Sequence, residues 1–129
     1  MDIKVNDNTR PIHLDLTKMH FPITAIVSIL HRISGVLLFL LLPLFLYCLH
    51  ASLESIDRFK ALQVTLQSRT MLFLMWIALS AVFMHLFAGI RHLFMDIGFA
   101  EALAHARKTA FIVVILEIIA IFGLGVWLW

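Results

Sequence analysis

The sequence predicts an all-α integral membrane protein with three transmembrane helices and an N-terminal cytoplasmic segment. Three observations carry that prediction. Of 129 residues, 62% are hydrophobic and 14% are charged, whereas a soluble domain is about 45–50% apolar and about 25% charged. The apolar residues come in blocks. Residues 33–53 and 70–90 contain no Asp, Glu, Lys or Arg, and residues 109–129 contain only Glu117. Each block is 21 residues long, and about 20 apolar residues cross a bilayer core as a helix. Lys and Arg also divide unevenly between the two ends of these blocks. Lys4, Arg10, Lys18, Arg32, Arg91, Arg107 and Lys108 fall at one end, and Arg58, Lys60 and Arg69 at the other. Seven against three places the N-terminus in the cytoplasm and the C-terminus outside.

Residues 1–129 read as a single membrane-anchor domain with spans at about 24–50, 70–92 and 109–129. The first 21 residues are polar and mixed in charge, and Arg10-Pro11 favours an extended or turn segment. Asp2 and Asp7 argue against a cleaved signal or a transit peptide, so a bacterial inner (cytoplasmic) membrane is the expected location. Pro22 suits the first position of a helix, and Pro43 should bend the span that follows. The linker after span one ends in IDRFKALQVTLQ, which suits an amphipathic surface helix. Span two extends toward Asp96, and span three ends in GVWLW, with two indoles where the membrane interface favours them.

The chain is short of parts for soluble chemistry. Its one cysteine, Cys48, precludes an internal disulfide or a cysteine-held cluster, and no Gly-rich dinucleotide fingerprint is present. The net charge of +2 without a basic run gives no reason to expect nucleic acid as a partner. No Cys-x-x-Cys-His occurs, so any haem would be held non-covalently.

The chemistry-bearing stretch is residues 85–96, HLFAGIRHLFMD. On a helix His85, Gly89 and His92 share a face, being i, i+4 and i+7. That face offers a flat ligand a nitrogen for its metal, and a missing side chain where its plane nears the backbone. A second polar cluster, Ser28, His31, Arg32 and Ser34, opens span one. If spans one and two run antiparallel, both clusters reach the same membrane face, with His85 about 7 Å below it. On residues alone, His85 is either an interhelical hydrogen-bonding group or a haem ligand. Arg32 is either an interfacial anchor or part of a pocket for a carbonyl or carboxylate. Glu117 reads as a protonated carboxyl bonding a partner helix. His13, His20, His50 and His105 are assigned no role.

The pattern Arg10-Pro11 followed by Ser28-x-x-His31-Arg32-x-Ser34 resembles the first signature of the cytochrome b subunit of succinate dehydrogenase, respiratory complex II. The pattern His85-x-x-x-Gly89-Ile90-Arg91-His92-x-x-x-Asp96-x-Gly98 resembles the second. The resemblance spans the chain in length, span number and motif order. It implies a haem b-binding membrane anchor of a succinate:quinone oxidoreductase. Such an anchor passes electrons from the iron-sulfur subunit to ubiquinone and holds the catalytic subunits on the membrane. His85 is then an axial ligand of the haem iron, and the second ligand comes from another small hydrophobic anchor subunit. Ser28 and Arg32 would line the ubiquinone site. His31, Arg32, Arg91 and His92 would be propionate or second-sphere contacts of the haem. The implied partners are the second anchor, the iron-sulfur subunit, the flavoprotein subunit and membrane lipid, and the complex itself can associate further. Two alternatives remain open: a fumarate reductase anchor, and a purely structural anchor without haem.

Overall fold

A computed structural model of the protein describes residues 21–99 and 102–129. The N-terminal segment, with Arg10-Pro11, His13 and His20, lies outside the described residues. Four helices account for nearly all the rest: α1 (Ile23–Glu54), α2 (Ile56–Leu66), α3 (Arg69–Asp96) and α4 (Leu103–Leu128). Three of them, α1, α3 and α4, are long and apolar enough to cross a membrane. At 32, 28 and 26 residues they measure about 48, 42 and 39 Å. Each exceeds the roughly 30 Å hydrocarbon core, so their ends reach past it.

The helix ends follow from local chemistry. Pro22 stands just before α1 rather than inside it, with an extended ψ of 150°. Its carbonyl accepts from the Ala25 and Ile26 amides at 2.9 and 3.2 Å. Helix α1 then runs on through Pro43, which forfeits one rung of the ladder. Extended backbone at Ser55 breaks α1 from α2, and the Ser55 hydroxyl caps α2 by accepting from the Arg58 amide at 3.2 Å. Ser68 caps α3 in the same way through the Met71 amide at 3.4 Å.

Gly98 ends α3. With φ at 81° it occupies the left-handed region that a Cβ penalises. The Phe99 amide reaches back to the Phe94 carbonyl at 2.9 Å, and the Gly98 amide to Met95 at 3.0 Å. These are the two reversed bonds of a Schellman stop, and the Phe94 and Phe99 rings, 6.1 Å apart, supply its hydrophobic contact.

Helix α3 packs against both α1 and α4. The shared core is small: Val27, Met84, Ala88, Ala110 and Val113, with Ile23, Phe87 and Val114 against it. Alanines dominate the interfaces, at positions 78, 81, 88, 106 and 110. Small residues let helices approach closely where lipid removes the hydrophobic drive for association. The large apolar side chains lie outside, as at Phe39 (74% exposed) and Val126 (84%). An outer surface of that kind suits lipid or partner helices, not water. Trp127 and Trp129 are exposed at the chain end.

Two polar ties join α3 to α4. The Trp76 indole donates to the Ile121 carbonyl at 2.9 Å. At the opposite end, Arg91 is buried. Its Nε donates to Thr109 Oγ1 at 3.1 Å and its Nη2 to the Ala106 carbonyl at 3.2 Å. A guanidinium so placed must find acceptors within the protein, because the hydrocarbon offers none. Replacing it by an apolar side chain of similar length should therefore cost stability through lost charge-assisted bonds. Arg91→Met is expected to lower the unfolding free energy by about 1.5–3 kcal/mol. A depressed thermal midpoint of the purified complex in detergent checks this; an unchanged midpoint contradicts it.

Candidate histidine site at the crossing of two spans

Two stripes of side chains meet where α1 crosses α3. On α1 they are His31, Ser34 and Gly35, spaced i, i+3 and i+4. On α3 they are His85, Gly89 and His92, spaced i, i+4 and i+7, as helical periodicity demands. The His31 and His85 rings stack, with centroids 4.2 Å apart and planes 15° from parallel. The His92 ring lies 5.1 Å from His31, tilted by 52°. One imidazole from α1 thus stands between two from α3.

The polar contacts of His85 all come from α1. Its Nδ1 is 3.2 Å from the His31 carbonyl oxygen and 3.4 Å from Ser34 Oγ. The Ser34 hydroxyl donates to that same carbonyl at 2.8 Å. A carbonyl has no hydrogen to give, so the contact is a hydrogen bond only when Nδ1 carries the proton. Nε2 then holds the ring's lone pair.

The two glycines lie at approaches of unequal tightness. A Cβ on Gly35 would stand 3.0 Å from His85 Cε1 and 3.3 Å from its Nδ1. A Cβ on Gly89 would stand 3.4 Å from His31 Nε2. The structure seats the His31 imidazole against Gly89, where α1 is the neighbour that α3 meets. From sequence Gly35 carries no assignment, and Ser34 only its place in the polar cluster of span one. The signal available was their spacing of four and three residues from His31.

The remaining expected site residues are spread around this crossing. Ser28 is half-buried and Arg32 exposed. His31 and Arg32 are adjacent in sequence, so the 100° step between them sends one inward and the other out. Arg91, six residues after His85, faces α4 and is held there by Thr109 and Ala106. An apolar groove of about 280 Å³ lies on that side, with Phe87, Arg91, Phe94, Thr109 and Val113 among its walls; no histidine lines it. Glu117 is half-buried on α4, and its Oε2 is enclosed without a hydrogen-bond partner among the described residues.

The donor set indicates what this site can hold. Among the described residues no three His, Cys, Asp or Glu side chains gather around a bare ion. A single imidazole with one nitrogen tied and the other free suits a metal whose other ligands come from a macrocycle. Nor can His31 and His85 grip one iron from opposite sides, since their rings lie face to face.

The two glycines make different demands on a substitution. Alanine gains about 1 kcal/mol of helix propensity over glycine. At Gly89 the added methyl meets an ordinary contact distance, so Gly89→Ala should be neutral or stabilising. At Gly35 it intrudes on an imidazole, and overpacking costs about 1–3 kcal/mol, which outweighs the gain. Thermal unfolding of the two variants should place Gly35→Ala below Gly89→Ala; the reverse order counts against this crossing.

Comparison with known proteins identifies the family. A sequence model described as "Succinate dehydrogenase/Fumarate reductase transmembrane subunit" matches residues 6–124. A succinate dehydrogenase cytochrome b556 subunit from Coxiella burnetii is 50% identical over 121 residues, 93% of this chain and 97% of the relative. The corresponding subunit of Paracoccus denitrificans is 31% identical, with 82% of each chain covered. A succinate dehydrogenase cytochrome b560 subunit from Reclinomonas americana is 35% identical over 98% of this chain and 89% of the relative. With three membrane-length helices crossing at paired histidines, and with this match over nearly its whole length, the chain belongs to the succinate dehydrogenase/fumarate reductase transmembrane subunit family.

Proposed function

We propose that this chain is the haem b-bearing membrane anchor of a succinate:ubiquinone oxidoreductase, with His85 as one axial ligand of the haem iron. The observation that carries the reading is the state of His85. Its Nδ1 is tied to the His31 carbonyl, which leaves the Nε2 lone pair for a metal. The names of the relatives, cytochrome b subunits of succinate dehydrogenase, support haem and succinate over the fumarate reductase alternative. The haem, when bound, supplies a one-electron centre between the iron-sulfur subunit and quinone. His31 and His92 form the wall beside His85, and the second axial ligand belongs to another small anchor subunit.

Ser28 and Arg32 bind the quinone head group. A hydroxyl and a guanidinium four residues apart donate hydrogen bonds to a carbonyl oxygen, and they bind it more tightly as negative charge develops there. Arg32 is exposed and Ser28 half-buried, which leaves the guanidinium open to a neighbouring subunit. The only tyrosine, Tyr47, is about four turns further along α1, so the proton donor to quinone comes from another chain or from water. The chain is multi-pass in the bacterial inner membrane with its N-terminus in the cytoplasm, as the excess of Lys and Arg at that end supports. The flavoprotein and iron-sulfur subunits dock on that face.

Optical spectra of the complex in membranes test the haem assignment. His85→Ala should remove the low-spin absorption of the reduced cytochrome, and an unaltered spectrum would sink the assignment. Activity assays test the quinone site. Removing a charge-assisted bond costs about 1.5–3 kcal/mol, a roughly ten- to hundredfold loss in rate if the bond forms in the transition state. Arg32→Leu should slow quinone reduction to that extent, and Ser28→Ala by a smaller factor. Succinate oxidation by an artificial acceptor should persist in both. Equal loss of the two activities would mean failed assembly and would remove the support for a quinone contact.

A further inference from the structure

The geometry points to Ser34, acting with the His31 carbonyl and Gly35, as a positioning site that fixes the tautomer and ring orientation of His85. It rests on the assignment of His85 as a haem ligand. An imidazole at a helix crossing has two freedoms that matter to a metal: which nitrogen carries the proton, and how the ring turns about its own axis. Both are restricted here by one turn of α1.

The proton is placed by the acceptors. The His31 carbonyl, 3.2 Å from His85 Nδ1, can only accept. The Ser34 hydroxyl spends its hydrogen on that carbonyl at 2.8 Å, so toward Nδ1, 3.4 Å away, it too presents lone pairs. Nδ1–H therefore donates to a two-oxygen cradle, whereas the alternative tautomer would set the His31 carbonyl oxygen against a bare Nδ1 and leave the one Ser34 hydrogen to serve only one of them. Ser34 is buried at 5% exposure, so water does not take its place. A hydroxyl at this position is also readily explained as ordinary helix back-bonding. What separates it from that role is the second contact across the interface to a histidine 51 residues away.

The ring plane is placed by packing. Gly35 admits the Cε1 edge so closely that a Cβ would stand 3.0 Å away, and the His31 ring covers one face at 4.2 Å. The ring is held by its edge, a face and the Nδ1 cradle, leaving the Nε2 direction as the free one. Partners of this kind set the basicity and orientation of a ligand histidine, and their loss typically weakens metal binding 10- to 100-fold. Ser34 touches no reacting atom; it acts through His85.

The test uses the purified complex with its haem, comparing Ser34→Ala and Ser34→Thr with the parent. Electron paramagnetic resonance of the oxidised low-spin haem reads the orientation of the axial imidazole. Haem release into detergent micelles reads its hold. Ser34→Ala should shift the g values and speed haem release roughly tenfold or more, with succinate oxidation by an artificial acceptor retained. Ser34→Thr keeps the hydroxyl and should restore both readouts toward the parent. Identical g values and release rates in Ser34→Ala would overturn the assignment. Equal loss of haem from both variants would also overturn it, since the side chain would then serve packing alone. If His85→Ala keeps an unchanged low-spin signal, the ligand assignment fails first, and Ser34 loses its role with it.

Discussion

The hydrogen bond from His85 to the His31 carbonyl is the contact on which the α1–α3 crossing depends. In a bilayer a polar side chain has no solvent to fall back on, so a buried N–H must find its acceptor inside the protein. His85 finds one on the backbone of a different helix. That choice fixes the register of α1 against α3, because a slide by one turn would leave the imidazole facing hydrocarbon. It also fixes the separation, since the carbonyl of a helix is reachable only where the side chains between are small. Gly35 and Gly89 are at those points, and each glycine faces the histidine of the opposite helix.

The same constraint explains how α4 is attached. Arg91 and Trp76, near opposite ends of α3, both donate to backbone carbonyls of α4, and the stretch between them is filled by alanine, methionine and valine. A helical carbonyl keeps a spare lone pair after its own rung is made, so these ties cost α4 none of its own hydrogen bonds. Surface ion pairs contribute far less. His50, Glu54 and Arg58 approach within 3.8–3.9 Å at the α1–α2 corner, but they are exposed, and such pairs contribute little in water.

Much of this was legible in the sequence, for physical reasons that also mark where legibility ends. The absence of charge over residues 33–53, 70–90 and 109–129 identifies the spans, because the cost of burying charge in lipid is large. It does not identify helix ends. Helix α1 runs to Glu54 and α4 starts at Leu103, since a helix continues past the bilayer until a cap or a turn stops it. The meeting of His31 with His85 follows from antiparallel spans of similar length. The direction of Arg91 does not follow. It stands beside His92 in a polar string, and only the 3.6-residue period separates a residue aimed at α1 from one aimed at α4. The partner of each glycine was equally hidden, because it depends on the crossing register between two helices and not on either helix alone.

The placement of the polar groups bears on why such a chain works in company. His31, Ser34 and His85 make polar contacts with one another at the inner crossing, whereas Arg32 is exposed and Ser28 only half-buried. An exposed guanidinium at the end of a membrane span is stable only at the interface or against a polar partner. The stacked histidines face a similar limit. Rings lying face to face present their free nitrogens side by side, so they cannot hold a metal from both sides. On the proposed function, then, each half-site is incomplete for a geometric reason. A haem held by His85 would need a further ligand from another chain, and a quinone at Arg32 would need a second wall. The outer surface of the bundle leaves many large apolar side chains uncovered. A second hydrophobic chain laid against that surface would close both gaps at once. On the proposed function, assembly and site formation would then be a single event.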